Sequence, residues 1–310
     1  MDSATLTRTI FIDGEAGTTG LGIAQRLASL GGVAVKSIAP EKRKDAEARR
    51  AMMASVDLVV LCLPDDAAKE SVALADSLGA KSPKIVDVST AYRVDPNWTY
   101  GFAEMAPGHE AAIRNATRVS NPGCYPTGGI ALLRPLVDAG LLPADFAVSV
   151  NAVSGYSGGG KSMIAAYEAK TAPDFELYGL GLGHKHVPEL QKYSKLTTRP
   201  IFVPSVGNFR QGMLVSVPLH LDALPGKPKA ADLQAALEQR YAGSKLVSVQ
   251  PAEASGKIEP QALNDSDRLE LRVFANEAHR QAVLVARLDN LGKGASGAAV
   301  QNIKLMLGLE

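Results

Sequence analysis

A cysteine set among loop formers and followed by a helix is the first group in this chain that could do chemistry. Cys124 lies in Asn121-Pro122-Gly123-Cys124-Tyr125-Pro126-Thr127-Gly128, between a strand-like stretch, Arg118–Ser120, and a helix expected over Thr127–Ala139. Pro126 suits a first helical turn, and the amides gathered there stabilise a thiolate, so Cys124 reads as a nucleophile. A free cysteine is more often a small buried hydrophobe, which is the reading of Cys62 inside the apolar run Leu58–Leu63. A thiolate needs a proton partner, and His184-Lys185-His186-Val187-Pro188-Glu189 supplies two. Spacing does not choose between His184 and His186. In an extended segment both rings would point the same way; in a helix they would diverge. His109 and His220 read as structural. With His184 and His186 two apart and no CxxC pair, no metal site is expected.

A second constellation opens the chain. The run Thr9–Asp13 passes into Gly14-Glu15-Ala16-Gly17-Thr18-Thr19-Gly20 and then a helix, with glycines at every third position of a strand-to-helix turn. Backbone amides and the helix dipole in such a turn hold a pyrophosphate; a tight turn without a ligand is the competing account of the spacing. Near the end of the second strand an NAD enzyme carries an acidic residue for the ribose 2′-hydroxyl, and here Ser37, Arg43 and Lys44 stand instead. A hydroxyl and two cations suit a 2′-phosphate, so the expected cofactor is NADP(H). The alternative is a solvated helix start over Glu41–Asp45. Groups that could hold an anionic substrate are Ser89, Thr90 and Arg93 after the fourth strand, Lys161 in Ser154–Lys161, and Arg210.

The elements that must position these groups fall into two textures. Strands expected at Thr9–Asp13, Val33–Ile38, Leu58–Leu63 and Lys84–Val88 alternate with helices at Thr19–Leu30, Lys42–Ala54 and Asp66–Leu78. That alternation is the pattern of a parallel α/β sheet of Rossmann type. After Cys124 a helix is followed by β-rich segments at Phe146–Val153, Met213–Leu221, Lys245–Val249, Leu269–Ala275 and Ala282–Asp289. Those segments suggest an α+β domain with a mostly antiparallel sheet. Ala295–Leu307 closes the chain as an apolar helix. Two domains also suit 310 residues.

With 46% hydrophobic and 21% charged residues the chain should fold, and a net charge of +1 leaves no basic field for nucleic acid or an anionic membrane. Small molecules are the default partners. No apolar stretch approaches the ~20 residues of a membrane span. Two cysteines do not make a disulfide framework, and the leading residues lack a basic region followed by an apolar one. A cytoplasmic protein is expected.

The chain resembles the N-acetyl-gamma-glutamyl-phosphate reductase family in its shorter form and, more distantly, aspartate-semialdehyde dehydrogenases. The resemblance rests on IFIDGEAGTTG, SIAPEKRKD, DVSTAYRV, SNPGCYPTGG, AVSGYSGGGK, GHKHVPEL and DNLGKGASGAAVQNIKLMLGL, in order along nearly the whole length. It implies an NADP-binding Rossmann domain over 1–123 and 290–310, a catalytic and dimerisation domain over 124–289, and a homo-oligomer, dimer or tetramer. It implies Cys124 as nucleophile and one histidine of the pair as acid/base, tipping toward His184. The cofactor set then takes in Gly14, Gly17, Thr18, Thr19, Gly20, Ser37, Arg43, Lys44, Pro64, Ser157, Gly158, Asn290, Lys293 and Gly294. The substrate set is Ser89, Arg93, Asn121, Lys161 and Arg210. Phe209 departs from the tight Arg-Gly of longer members, which loosens the role of Arg210. The implied reaction is reduction of an acyl phosphate by NADPH through a thioester, within arginine biosynthesis. An aspartate-semialdehyde dehydrogenase, or a catalytically silent NADP-binding sensor, are the competing functions.

Overall fold

Residues 7–309 are described by the computed structural model, so the reading of the leading segment lies partly outside the described residues. In the first unit, short apolar runs, the central Leu58–Leu61 buried on both faces, become strands. These are β1 (Arg8–Asp13), β2 (Val33–Lys36), β3 (Leu58–Leu61), β4 (Lys84–Asp87), β5 (Thr99–Tyr100) and β6 (Arg118–Ser120), all parallel in the order β2-β1-β3-β4-β6-β5. Interleaved are α1 (Thr18–Ala28), α2 (Ala46–Met53), α3 (Asp65–Asp76) and α4 (His109–Asn115). Ile10, Ile12, Leu58 and Val60 pack with Ile23 and Leu27 of α1 and Ile113 of α4. Phe11, Val59 and Leu61 turn the other way, toward Met53 of α2 and Ala68, Val72 and Ala75 of α3. Alternation along each strand thus feeds two cores, one on each face.

Two expected elements are corrected here. The helix expected over Lys42–Ala54 begins only at Ala46, because the Asp45 carboxylate accepts the Ala48 N–H at 2.7 Å and fixes the helix start there. Arg43 and Lys44 therefore stand in a turn rather than on a helix face. The third strand ends at Leu61, which leaves Cys62 just beyond it.

The second unit carries α5 (Cys124–Asp138), β7 (Ser149–Gly155), α6 (Gly160–Glu168), β8 (Phe175–Leu177), α7 (Val187–Tyr193), β9 (Ile201–Gly207), β10 (Met213–His220), α8 (Ala230–Tyr241), β11 (Val247–Val249), β12 (Leu269–Asn276) and β13 (Gln281–Leu288). Its sheet runs β11-β12-β13-β10-β7-β9-β8. Only the β7–β9 and β11–β12 pairs are parallel. In β10, Met213, Val215, Val217 and Leu219 are buried while Pro218 and His220 are exposed, as the alternation predicts. Helix α5 lies on this sheet and against α7. Gly128 and Gly129 permit the approach, since a Cβ there would come within 2.8 Å of Val215 and 2.6 Å of Leu190.

The last helix, α9 (Gly297–Leu307), returns Ala299, Ile303 and Met306 to the core of the first unit. The two units comprise residues 7–103, Gly108–Pro122 and 295–309 on one side, and Glu104–Pro107 with Gly123–Gly294 on the other. Residues 290–294, expected with the nucleotide domain, belong to the second unit. Asn290 is tied there, its Oδ1 accepting the Gly212 N–H at 2.8 Å and its Nδ2 donating to Ser157 Oγ at 2.9 Å. Among the described residues no helix is long and apolar enough to cross a membrane.

Candidate active site

The first unit carries a nucleotide-type turn. Gly14 has φ +91°, and a Cβ there would stand 2.3 Å from the Cys62 carbonyl oxygen, so only glycine lets β1 turn so close to β3. Gly17 is the extended N-cap of α1 and brings no side-chain cap, which leaves the helix's leading amides at Thr18, Thr19 and Gly20 for a ligand. Beside the turn a pocket is lined by Phe11, Ile12, Asp13, Gly14, Glu15, Ala16, Ile38, Arg43, Lys44 and Leu63. An apolar floor with a cationic rim suits an adenosine carrying a phosphate. Of the expected cofactor residues, Gly14, Arg43 and Lys44 line it. Ser37 is joined to it through Glu15, whose Oε2 accepts the Ser37 hydroxyl at 2.7 Å and whose Oε1 accepts from Arg43 Nη2. Asp13 is committed elsewhere, to Arg49 at 2.7 Å and to the Ser71 hydroxyl at 2.6 Å. Pro64 is the N-cap of α3 and is not among the lining residues.

The substrate candidates of this unit are held by its framework. Asp87 accepts the Ser89 hydroxyl at 2.7 Å, and burial pushes its carboxyl up to about 6. Arg93 Nε donates to the Asn121 carbonyl at 3.0 Å, which brings those two candidates together. The Asn121 amide donates to the Ala295 carbonyl at 3.2 Å, and its Oδ1 accepts from Asn302 at 3.1 Å, with both asparagines buried. The Cys62 thiol stays protonated. Burial, with the Asp87 and Asp13 carboxylates nearby, pushes its thiol up to about 12.

In the second unit Cys124 is the first residue of α5, three positions ahead of the helix start read from the sequence. Extended Gly123 is the N-cap, and Pro126 fits the first turn because its missing N–H would have no intrahelical partner. The thiol thus sits at the positive end of a helix and is partly exposed, while Asn121–Gly123 and Tyr125–Leu133 are buried. Glu189, itself 1% exposed, accepts the Gly123 N–H at 3.0 Å and pins this start. Gly294 packs so close that a Cβ would lie 2.9 Å from Cys124 Cβ. Tyr125 donates to the Ser205 carbonyl at 2.9 Å and its hydroxyl accepts from Tyr178 at 3.1 Å. Burial pushes the Tyr178 hydroxyl up to about 12 and that of Tyr125 beyond it, with the Cys124 charge adding to both. Both therefore stay neutral beside the sulfur.

The histidines are not in an extended segment. His186 has φ −83°, ψ −13° and opens α7, yet the two rings still meet, with centroids 4.8 Å apart and both edge-on to Tyr125. The His186 backbone N–H donates to His184 Nδ1 at 3.2 Å, so the neutral His184 ring carries its proton on Nε2. Burial first, then the Lys185 charge, lowers the His184 pKa.

Other expected residues have different engagements. Lys293 is buried with its ammonium 2.8 Å from Glu104, not among the residues lining the nucleotide pocket. Ser157 accepts from Asn290, and Gly158 packs beside Ser154 and Asn290. Lys161 is exposed on the first turn of α6, and Arg210 pairs with Glu168 at 3.1 Å on the surface. Glu15, Tyr178 and Glu189 are the residues that sequence reasoning passed over. Glu189 alone had a signal, its place directly after the histidine pair.

A model described as the semialdehyde dehydrogenase NAD binding domain matches residues 17–113, and one described as the semialdehyde dehydrogenase dimerisation domain matches residues 124–290. The chain belongs to the semialdehyde dehydrogenase family. Within that family it is similar to the N-acetyl-gamma-glutamyl-phosphate reductase of Brucella ovis, 55% identical over 307 residues, covering 96% of this chain and 98% of that one. Among solved structures, the aspartate semialdehyde dehydrogenase of Francisella tularensis matches with a TM-score of 0.72 at 13% identity, covering 96% of this chain and 99% of that chain. The enzyme from Candida albicans, solved with NADP, matches with a TM-score of 0.66 at 15% identity, covering 97% and 98%. These structural likenesses establish the fold.

Proposed function

We propose that this chain reduces N-acetyl-gamma-glutamyl phosphate to N-acetylglutamate 5-semialdehyde with NADPH, as a step of arginine biosynthesis, through a thioester on Cys124. The observation that carries the reading is a partly exposed cysteine at a helix N-terminus whose next residue, Tyr125, meets both histidine rings edge-on, in a chain 55% identical to a reductase of that name. The Cys124 thiolate attacks the acyl carbonyl, forming a C–S bond as the bond to the phosphate oxygen breaks and phosphate leaves. When bound, NADPH supplies the hydride that the thioester carbon accepts. The hemithioacetal then expels the thiolate and frees the aldehyde. His184 serves this sequence at Nε2, donating toward the substrate oxygen, while the His186 amide holds its tautomer. The α5 amides stabilise the oxyanion. In the first unit the glycine turn holds the pyrophosphate, and Ser37, Arg43 and Lys44 favour the 2′-phosphate.

A homo-oligomer is part of this reading. It is supported by the dimerisation-domain match and by exposed Phe175, Leu177, Leu180 and Ile201 along the β8 edge of the second sheet. Phosphate-dependent reduction of NADP⁺ tests the activity, run in parallel with N-acetylglutamate 5-semialdehyde and aspartate semialdehyde. Turnover confined to the first is expected; turnover confined to the second, or with neither, overturns the assignment.

A further inference from the structure

The two groups best suited to a 2′-phosphate already hold an anion. Glu15, from the glycine turn itself, accepts the Ser37 hydroxyl on one carboxylate oxygen and Arg43 on the other. Residues 22 and 28 positions away thus converge on one carboxylate beside the pocket that Arg43 and Lys44 line. A carboxylate with both oxygens engaged by a hydroxyl and a guanidinium makes the contacts that a phosphate would make there.

We infer that Glu15 tempers the preference for NADPH over NADH, its carboxylate occupying the Ser37–Arg43 anion site in the ligand-free protein. This rests on the turn and pocket being the nucleotide site of the function proposed above. A 2′-phosphate must displace the carboxylate from Arg43 and then tolerates a negative charge nearby; a ribose 2′-hydroxyl needs no displacement and can donate to Glu15. Displacement is feasible because the pair is partly exposed, Arg43 being 43% and Glu15 22% accessible, and solvent weakens such pairs. Glu15 therefore subtracts from a preference that Ser37, Arg43 and Lys44 build. The nearby Asp13 cannot play this part, since Arg49 and Ser71 already hold it.

Calorimetric titration of the full chain with 2′,5′-ADP and with 5′-ADP reads the effect without turnover. The ratio of the 5′-ADP Kd to the 2′,5′-ADP Kd isolates the 2′-phosphate, because any general disturbance of the turn acts on both ligands. Glu15→Gln should raise that ratio by roughly three- to tenfold, and Arg43→Ala should lower it. A Glu15→Gln ratio equal to that of the wild type, or below it, overturns the inference; the second result would make Glu15 a prop for Arg43. The wild-type ratio tests the NADPH reading separately. A value near one contradicts that preference, yet a rise in Glu15→Gln would still establish that Glu15 weighs against the 2′-phosphate.

Discussion

Helices α1 and α5 begin alike. Gly17 (φ −74°, ψ 162°) and Gly123 (φ −73°, ψ 151°) are both extended N-caps that give their helices no side-chain cap. Each start therefore offers partial positive charge to an anion. At α1 the surroundings are half-exposed, as a diffusible phosphate requires. At α5 the proposed function has the chain itself supply the anion, as a Cys124 thiolate, and the neighbours are fixed: Glu189 on the Gly123 amide, Gly294 against the Cys124 Cβ, Tyr125 anchored to Ser205. In the proposed function, the same backbone device would serve binding where it is left open and nucleophilic catalysis where a cysteine is placed in it and braced.

The largest effect should come from the anion at α5. Cys124→Ser should lower kcat by roughly 10³-fold or more while NADPH affinity stays within twofold, whereas Cys62→Ser should leave turnover intact. Near-normal turnover in Cys124→Ser would remove the catalytic half of the comparison. Next is the proton carrier. His184→Asn should depress kcat by ~10²–10⁴-fold with NADPH affinity unchanged, and His186→Asn should act mainly through KM or stability. Steady-state kinetics of both variants decide it, and a kcat collapse confined to His186→Asn would exchange their roles.

The brace itself can be removed. Glu189→Ala leaves the buried Gly123 N–H without its acceptor and should destabilise the protein by ~1–3 kcal/mol in denaturant unfolding. Glu189→Gln, which keeps an acceptor, should recover much of that stability. Equal losses in the two variants would show that the carboxylate's charge, not the hydrogen bond, is what matters at α5.

The smallest effect concerns Asp87 in the first unit. Its folded pKa of about 6 lies above the ordinary carboxyl value of 3.8, so between these values the folded protein retains a proton that the unfolded chain has released. Stability from this group should be full below about pH 4, fall as pH rises to 6, and stay level above; the change is on the order of 1–3 kcal/mol. Asp87→Asn should flatten that slope. An unchanged slope in the variant would assign it to other groups.

Much of this was legible because burial writes itself into residue type. The Leu58–Leu61 run is apolar throughout since both its faces are covered, and β10 alternates since only one of its faces is fully buried. The β9 strand escaped because Pro204 interrupts Ile201–Gly207, and β8 because three residues carry too little pattern. Cys124, His184 and His186 stand out from type and neighbours as the candidates for chemistry. The brace at Gly123 was not legible, since Glu189 acts on it from 66 positions away. The turn at Arg43 was misread for a local reason, the Asp45 cap that delays α2.

The central claim is that Cys124 becomes acylated. Incubating the protein with N-acetyl-gamma-glutamyl phosphate in the absence of NADPH, followed by acid quench and peptide mass mapping, tests it directly. The account predicts one acyl group on the peptide that contains Cys124, discharged when NADPH is added before the quench. Acyl label on the Cys62 peptide, or none on either cysteine while the wild type turns over, would contradict it.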